Sequence, residues 1–272
     1  MSRFLKKYLP FARAGVQSAV AYRTNFFFQI IGHVLGCFII YFLWQAVFLS
    51  SKQQVLEGFT RIDMAMYIFV SFFSRFITDC NCHWDVASEI RDGSIAMRIL
   101  KPVSFNMTYL FHDLGFKFAT VIFVFVPLIG GIEIYRTYIT GAVQFHILNF
   151  TIYLLSVILA YLINFYFNIC FGFIAFVLKY FWGANIMKDC IVRFLSGVMI
   201  PLAFFPSGLK NVLELLPFAS LSYTPVMIYS GLYNFGQMVF YMGLQIFWLV
   251  FFYMLSKIIW SIVIKRLCVQ GG

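Results

Sequence analysis

FFFQIIGHVLGCFIIYFLWQAVF (residues 26–48) runs for 23 residues without a charge. As a helix rising about 1.5 Å per residue it reaches roughly 35 Å, enough to cross the ~30 Å hydrocarbon core of a bilayer. The apolar region of a signal peptide is only about 7 to 15 residues long. The stretch therefore reads as a first span that stays in the membrane. The rest of the chain has the same character, with 62% hydrophobic and only 11% charged residues among 272. A soluble domain carries about a quarter charged residues. The fold class expected is an all-α polytopic membrane protein, nearly all of it membrane domain.

Working outward, apolar runs recur at 64–78, 116–134, 145–178, 190–205 and 237–262. Six transmembrane helices follow, with N and C termini both cytoplasmic. In that orientation sixteen of the twenty basic residues lie inside, leaving Lys52, Arg61, Arg136 and Lys210 outside beside Glu57, Asp63, Glu133 and Glu214. This is the positive-inside bias. The net charge of +10 is thus topology, with anionic membrane lipid as its partner. It is not gathered into the solvated patch that nucleic acid needs.

Ahead of the first span, residues 1–24 set Arg3, Lys6, Lys7, Arg13 and Arg23 around Phe4, Leu5, Tyr8, Leu9 and Phe11. This predicts an amphipathic helix lying in the interface, followed by a six-helix domain over 25–272. The run 145–178 would make about 50 Å of helix, more than a bilayer needs. It must tilt, kink or project. It contains no proline or polar turn at which to split, and a seventh span would put the basic C-terminus outside. Gly197 and Pro201 are expected to loosen the fifth span near its outer end. The segment 206–236, with Pro206, Pro217, Tyr223 and Pro225 among apolar residues, is too broken to span and too apolar for a solvated loop. It is expected to form short helices dipping into the outer leaflet.

The sequence has no Gly-Lys dipeptide and hence no phosphate-cradling Walker A loop. It also lacks His-Glu-x-x-His and Gly-x-Ser-x-Gly. The histidines His33, His83, His112 and His146 are scattered one to a segment. Cys80-Asn81-Cys82-His83 has no second ligand pair for zinc, and the six cysteines form no disulfide framework. No catalytic residue, metal site or cofactor is expected in this chain. Arg75, Lys117 and Arg193 lie close enough to cytoplasmic span ends to snorkel. Asp113 with Lys117 and Asp189 with Arg193 are i,i+4 pairs in the favourable order. Asn164 and Asn168 share one helix face in the fourth run, so that face packs on protein or lines a hydrated path.

The cytoplasmic loop 80–111 carries the remaining signals. Asp85 reads as an N-cap, Gly93 as a C′ residue, Ser94 as a second N-cap and Pro102 as a stop. Two short helices with a sharp bend follow. Their faces mix Glu89, Arg91, Asp92 and Arg98 with Ile90, Ile95, Met97 and Ile99. That mixture suits docking in a groove on another protein, or an interfacial connection.

AYRTNFFFQ (21–29), EIRDGSIAMRILKPVSF (89–105), IPLAFFP (200–206), LLPFASLSYTPVMIYSG (215–231) and the terminal VQGG occur in this order. The combination resembles the permease subunits of type-2 ABC exporters, in the compact branch ending in Val-Gln-Gly-Gly. The resemblance implies a six-helix half, in a bacterial cell membrane, that pairs with an identical or homologous permease subunit. Each half would dock on a separate cytosolic ATPase that holds ATP and Mg. It also implies that Glu89, Ile90, Arg91, Asp92, Gly93 and Ser94 form the ATPase-coupling element, and that Pro206, Pro217, Tyr223 and Pro225 belong to an outer gate-like, re-entrant segment. The residues alone leave open a stand-alone secondary transporter or channel, or an assembly protein without cargo.

Overall fold

The computed structural model describes residues 3–51, 53–100, 102–122, 146–178 and 180–267, with separate positions between 127 and 138. Most of the expected span 116–134 and the terminal Val-Gln-Gly-Gly lie outside the described residues. The helices are α1 (Arg3–Ala21), α2 (Arg23–Ser51), α3 (Arg61–Thr78), α4 (Cys82–Arg91), α5 (Ile95–Ile99), α6 (Phe105–Thr120), α7 (Ile147–Gly172), α8 (Phe181–Leu195), α9 (Ser207–Leu215), α10 (Tyr223–Tyr229) and α11 (Phe235–Leu267). A hairpin of β1 (Val55–Leu56) and β2 (Phe59–Thr60) joins α2 to α3. Its two-residue turn places Glu57 and Gly58 at positive φ, the geometry that matches strand twist in a tight hairpin. Thr60 then starts α3 with a reciprocal capping box, its hydroxyl accepting from the Asp63 amide while Asp63 accepts from the Thr60 amide.

Among the described residues, the helical stretches Arg23–Ser51, Ile147–Phe176 and Phe235–Lys265 are long and apolar enough to cross a membrane. The fourth run is one element: α7 tightens into a 3₁₀ turn over Phe173–Phe176 instead of splitting. It is also the central helix, packed against α3, α4, α10 and α11 and running through both large hydrophobic clusters. In contrast α2 and α11 leave most of their apolar surface uncovered. Phe27, Phe28, Ile39, Phe42, Phe240 and Phe247 are all exposed, as lipid-facing side chains must be. The first amphipathic segment is a helix, and α1 packs along α6.

The region of the expected fifth span differs from expectation. Its helix is α8, fifteen residues starting before the run 190–205 and ending well inside it. Gly197, at φ +77, does not loosen the helix but ends it, because only glycine takes this left-handed C′ conformation without strain. The freed carbonyls find donors from three elements. Ser196 O accepts from the Tyr223 amide at 3.2 Å, Gly197 O from the Tyr67 hydroxyl at 2.7 Å, and Met199 O from Trp44 Nε1 at 3.3 Å. Irregular backbone at membrane depth requires such burial in protein.

The segment 206–236 folds as α9, a 3₁₀ turn over Ala219–Leu221 and α10. Every residue of α10 is buried, against α7 and α3. Pro206 stands just ahead of α9 and Pro225 in the first turn of α10. There its missing N–H costs nothing.

Candidate functional site

α4 starts at Cys82 after Asn81, three residues before the expected Asp85 cap. Asp85 is instead an exposed first-turn residue, where its charge favours the helix dipole. Gly93 holds the expected C′ position at φ +76 and turns the chain into α5. Ser94 precedes α5 but its side chain makes no cap. Its hydroxyl and amide donate instead to Asp92 Oδ1 at 2.6 and 2.9 Å. These bonds hold the Asp92 carboxyl below its ordinary value, keep it ionised and stiffen the bend.

The bend folds residues 89 and 98 onto each other. Arg98 donates from Nε and Nη2 to the two Glu89 oxygens, both at 2.5 Å, a bidentate fork. Arg98 Nη1 donates to Thr108 Oγ1 at 2.9 Å, and its guanidinium lies 4.2 Å from the centre of the Tyr109 ring. One arginine thus ties α4, α5 and α6 together. Phe11 of α1, Asp85, Ser88 and His112 join these residues around a cavity of about 360 Å³. Glu89 and Ile90 are half-buried in this brace, while Arg91, Asp92, Gly93 and Ser94 are exposed. Met97 and Leu100 extend that exposed edge, at 63% and 78%.

Behind the elbow lies a polar layer. Gly172 lets α4 approach the end of α7, since a Cβ there would stand 2.9 Å from the Val86 side chain. Asn164 and Asn168 are both 2% exposed, so within one chain they face protein, not lipid. Asn164 Nδ2 donates to Thr78 O at 2.9 Å, and Asn168 Nδ2 donates to Asn164 O and Oδ1. Asn168 Oδ1 accepts from the Lys188 ammonium at 2.8 Å. Lys188, 7% exposed, also meets Asp189 at 3.1 Å and His83 Nε2 at 3.5 Å. Burial first, then this cation, pushes the His83 imidazole down to about 3.

The two expected i,i+4 pairs do not form among the described residues. Asp113 accepts from the Tyr161 hydroxyl while Lys117 donates to Phe76 O. Asp189 bonds Lys188 and Asn185. Arg75 does not snorkel: its side chain is 11% exposed and its partner is Asp79 at 3.5 Å. Arg98, Thr108 and Tyr109 are functional candidates that reading along the chain missed. The Glu89–Arg98 pair had a signal, because the two stand four and five residues either side of Gly93. Lys188 had none, being a lone cation ahead of an apolar run.

A family model described as ABC-2 family transporter protein matches residues 34–271. The chain belongs to the ABC-2 transporter family. It is a membrane permease component of an ABC transporter. No curated protein matches it. In this ABC-2 permease the braced elbow and the polar layer adjoin through α4, whose His83 reaches Lys188 while its Glu89 holds Arg98.

Proposed function

We propose that the chain is the permease subunit of an ATP-driven exporter. Six spans, with both termini in the cytoplasm of a bacterial cell, would pair with a second identical or homologous permease subunit and enclose the path between them. Cytosolic ATPase subunits, holding ATP and Mg, supply the work. This chain is not itself an ATPase, because no loop in its sequence cradles phosphates. The observation that carries the reading is the elbow: a polar and apolar edge, Arg91 to Ser94 with Met97 and Leu100, exposed at a bend that Arg98 braces rigidly against α6. A push on that edge moves α4 and α6 as a unit. Segment 206–236, with Pro206, Pro217, Tyr223 and Pro225, is the outer re-entrant element of this reading.

The test is co-expression with a P-loop ATPase encoded beside this chain. Cysteines replacing Asp92 and Met97 should cross-link to the ATPase, and nucleotide hydrolysis should appear only with that partner present. Turnover by the purified permease alone, or cross-links absent from a functional complex, would remove the assignment. Native mass spectrometry of the gently solubilised complex should show two permease chains with two ATPase subunits. A functional particle with one permease chain would place the path elsewhere.

A further inference from the structure

A second cavity lies between α2, α3 and the end of α8 with the irregular stretch after it, with a volume of about 350 Å³. Ligand pockets run from about 300 to 1,000 Å³. Its polar wall is His33, Arg75, Asp79 and Arg193, and its apolar wall includes Ile39, Phe72 and Met199. Two features point to an anion. Arg75 gives one arm to Asp79, but its buried Nη1 has no hydrogen-bond partner. Arg193 is exposed at the cavity's edge, and its guanidinium has no hydrogen-bond or ion-pair partner among the described residues. Two arginines against one carboxylate leave the wall positive even with His33 neutral.

We propose that this cavity binds a phosphate-type anionic group. Arg75 Nη1 and Arg193 would grip its oxygens as guanidinium forks do, with Ile39, Phe72 and Met199 contacting an attached apolar chain. The cavity opens beside α2, which is itself largely uncovered, so an amphiphile can enter laterally. Gly32 keeps the wall low, since no atom lies within 4 Å of where its Cβ would stand. The proposal rests on the exporter reading only in making the ligand a cargo. Binding is measured on the full chain without ATPase, so failed coupling leaves this result readable and failed binding leaves the exporter reading standing.

The experiment titrates purified full-length chain in uncharged detergent with 1-oleoyl lysophosphatidic acid, its neutral counterpart monoolein, and inorganic phosphate and pyrophosphate. The lysophosphatidic acid should bind saturably and at least tenfold more tightly than monoolein. Arg193→Gln should weaken it tenfold or more, Arg193→Lys less, and Gly32→Leu should abolish it by filling the cavity. Both arginines also sit in the last turn of their helices, where they favour the dipole. If that were their whole role, Arg193→Gln would lower Tm and leave the dissociation constant unchanged. Tight phosphate or pyrophosphate binding with the same variant pattern would identify a free solute as the source. Weak binding of both would identify an amphiphile headgroup. Equal binding of monoolein, or unchanged affinity in both Arg193→Gln and Gly32→Leu, overturns the site.

Discussion

Gly15 of α1 and Gly115 of α6 face each other's helix at a crossing with no space for a side chain. A Cβ on Gly15 would overlap the His112 carbonyl oxygen, and one on Gly115 would overlap that of Ala12. Small residues permit such backbone approach between membrane helices. The contact fastens the amphipathic helix to the element that Arg98 braces. Gly15→Ala or Gly115→Ala should force α1 off α6 and cost about 1 to 3 kcal/mol, the range for overpacking. Gly183→Ala, with nothing within 4 Å, should gain up to about 1 kcal/mol of helix propensity. Thermal unfolding in detergent, with trypsin cleavage at Lys6, Lys7 and Arg13 as the reporter of α1 release, checks both directions.

Glu89→Gln or Arg98→Gln should each lower ATPase coupling without loss of membrane insertion. A charged hydrogen bond is worth about 1.5 to 3 kcal/mol, and the half-buried pair holds the elbow's angle. Reversing Arg91, exposed and among the described residues bonded only to its own helix through Ala87 O, should weaken docking with no change in the Tm of the isolated chain. Transport and unfolding measured in parallel separate the two. An Arg91→Glu chain that unfolds earlier, with coupling intact, would reverse these roles.

The membrane class, the elbow and the Asn164–Asn168 face could be read from the chain because each rests on local periodicity or on glycine conformation. The Phe26–Phe48 run and the Gly93 turn need no tertiary partner to be recognised. The expected i,i+4 pairs failed for the opposite reason. Asp113 and Lys117 each found a partner on another helix, Tyr161 and Phe76 O, and neighbourhood along one helix is only a weak preference of a few tenths of a kcal/mol. The 55–60 hairpin was visible in Glu57-Gly58 and in Thr60-x-x-Asp63, but both hid within what looked like an ordinary outer loop. Which cation would be buried, Lys188 over its neighbours, depends on two other helices, α4 and α7, and leaves no local trace.

Tyr67→Phe should destabilise the chain break that follows α8. The Tyr67 hydroxyl, on a fully buried side chain, serves Gly197 O, and an orphaned buried carbonyl costs about 1 to 3 kcal/mol. Gly197→Ala should cost at least as much, since it combines a positive φ with a position 3.1 Å from the Tyr67 oxygen. Combined, the two changes should be less than additive because they loosen one junction. Full additivity in Tm would mean that the hydroxyl and the turn act separately.

His83 makes stability fall with acid. Its ordinary value of 6.5 drops to about 3 in the folded chain, so the native state keeps it neutral while an unfolded chain takes up a proton. The contribution is complete above pH 6.5 and is lost as pH falls toward 3. Between pH 6.5 and 5 it amounts to about 2 kcal/mol. His83→Gln should therefore be progressively less disadvantaged against the native chain as pH drops through this window. Parallel Tm curves for the two proteins from pH 7.5 to 5 would show that the imidazole is not held neutral.

Asn168→Leu should be more damaging than its own lost hydrogen bonds account for, because it strips the Lys188 ammonium of its buried acceptor. Asp189 remains as a partner, but its side chain is 41% exposed while that of Lys188 is 7% exposed. The charge would thus lean on one half-solvated carboxylate and on the His83 imidazole at 3.5 Å. The expected cost is about 1 to 3 kcal/mol. Lys188→Met alone removes the charge and frees Asn168 Oδ1, so it too should destabilise. Together the two changes leave an apolar contact between α7 and α8 and remove the ammonium and the Asn168 oxygen, while Asn164 Oδ1 loses its Asn168 donor in the single and the double variant alike. A buried polar pair replaced by apolar side chains of similar volume is often neutral. The double variant should therefore be more stable than Asn168→Leu, with a coupling energy of about 0.5 to 3 kcal/mol. It should also lose the His83 contribution to acid sensitivity in part, because the neighbouring cation is gone while the burial remains. A double variant whose cost equals the sum of the single costs would show that Asn168 and Lys188 do not depend on each other.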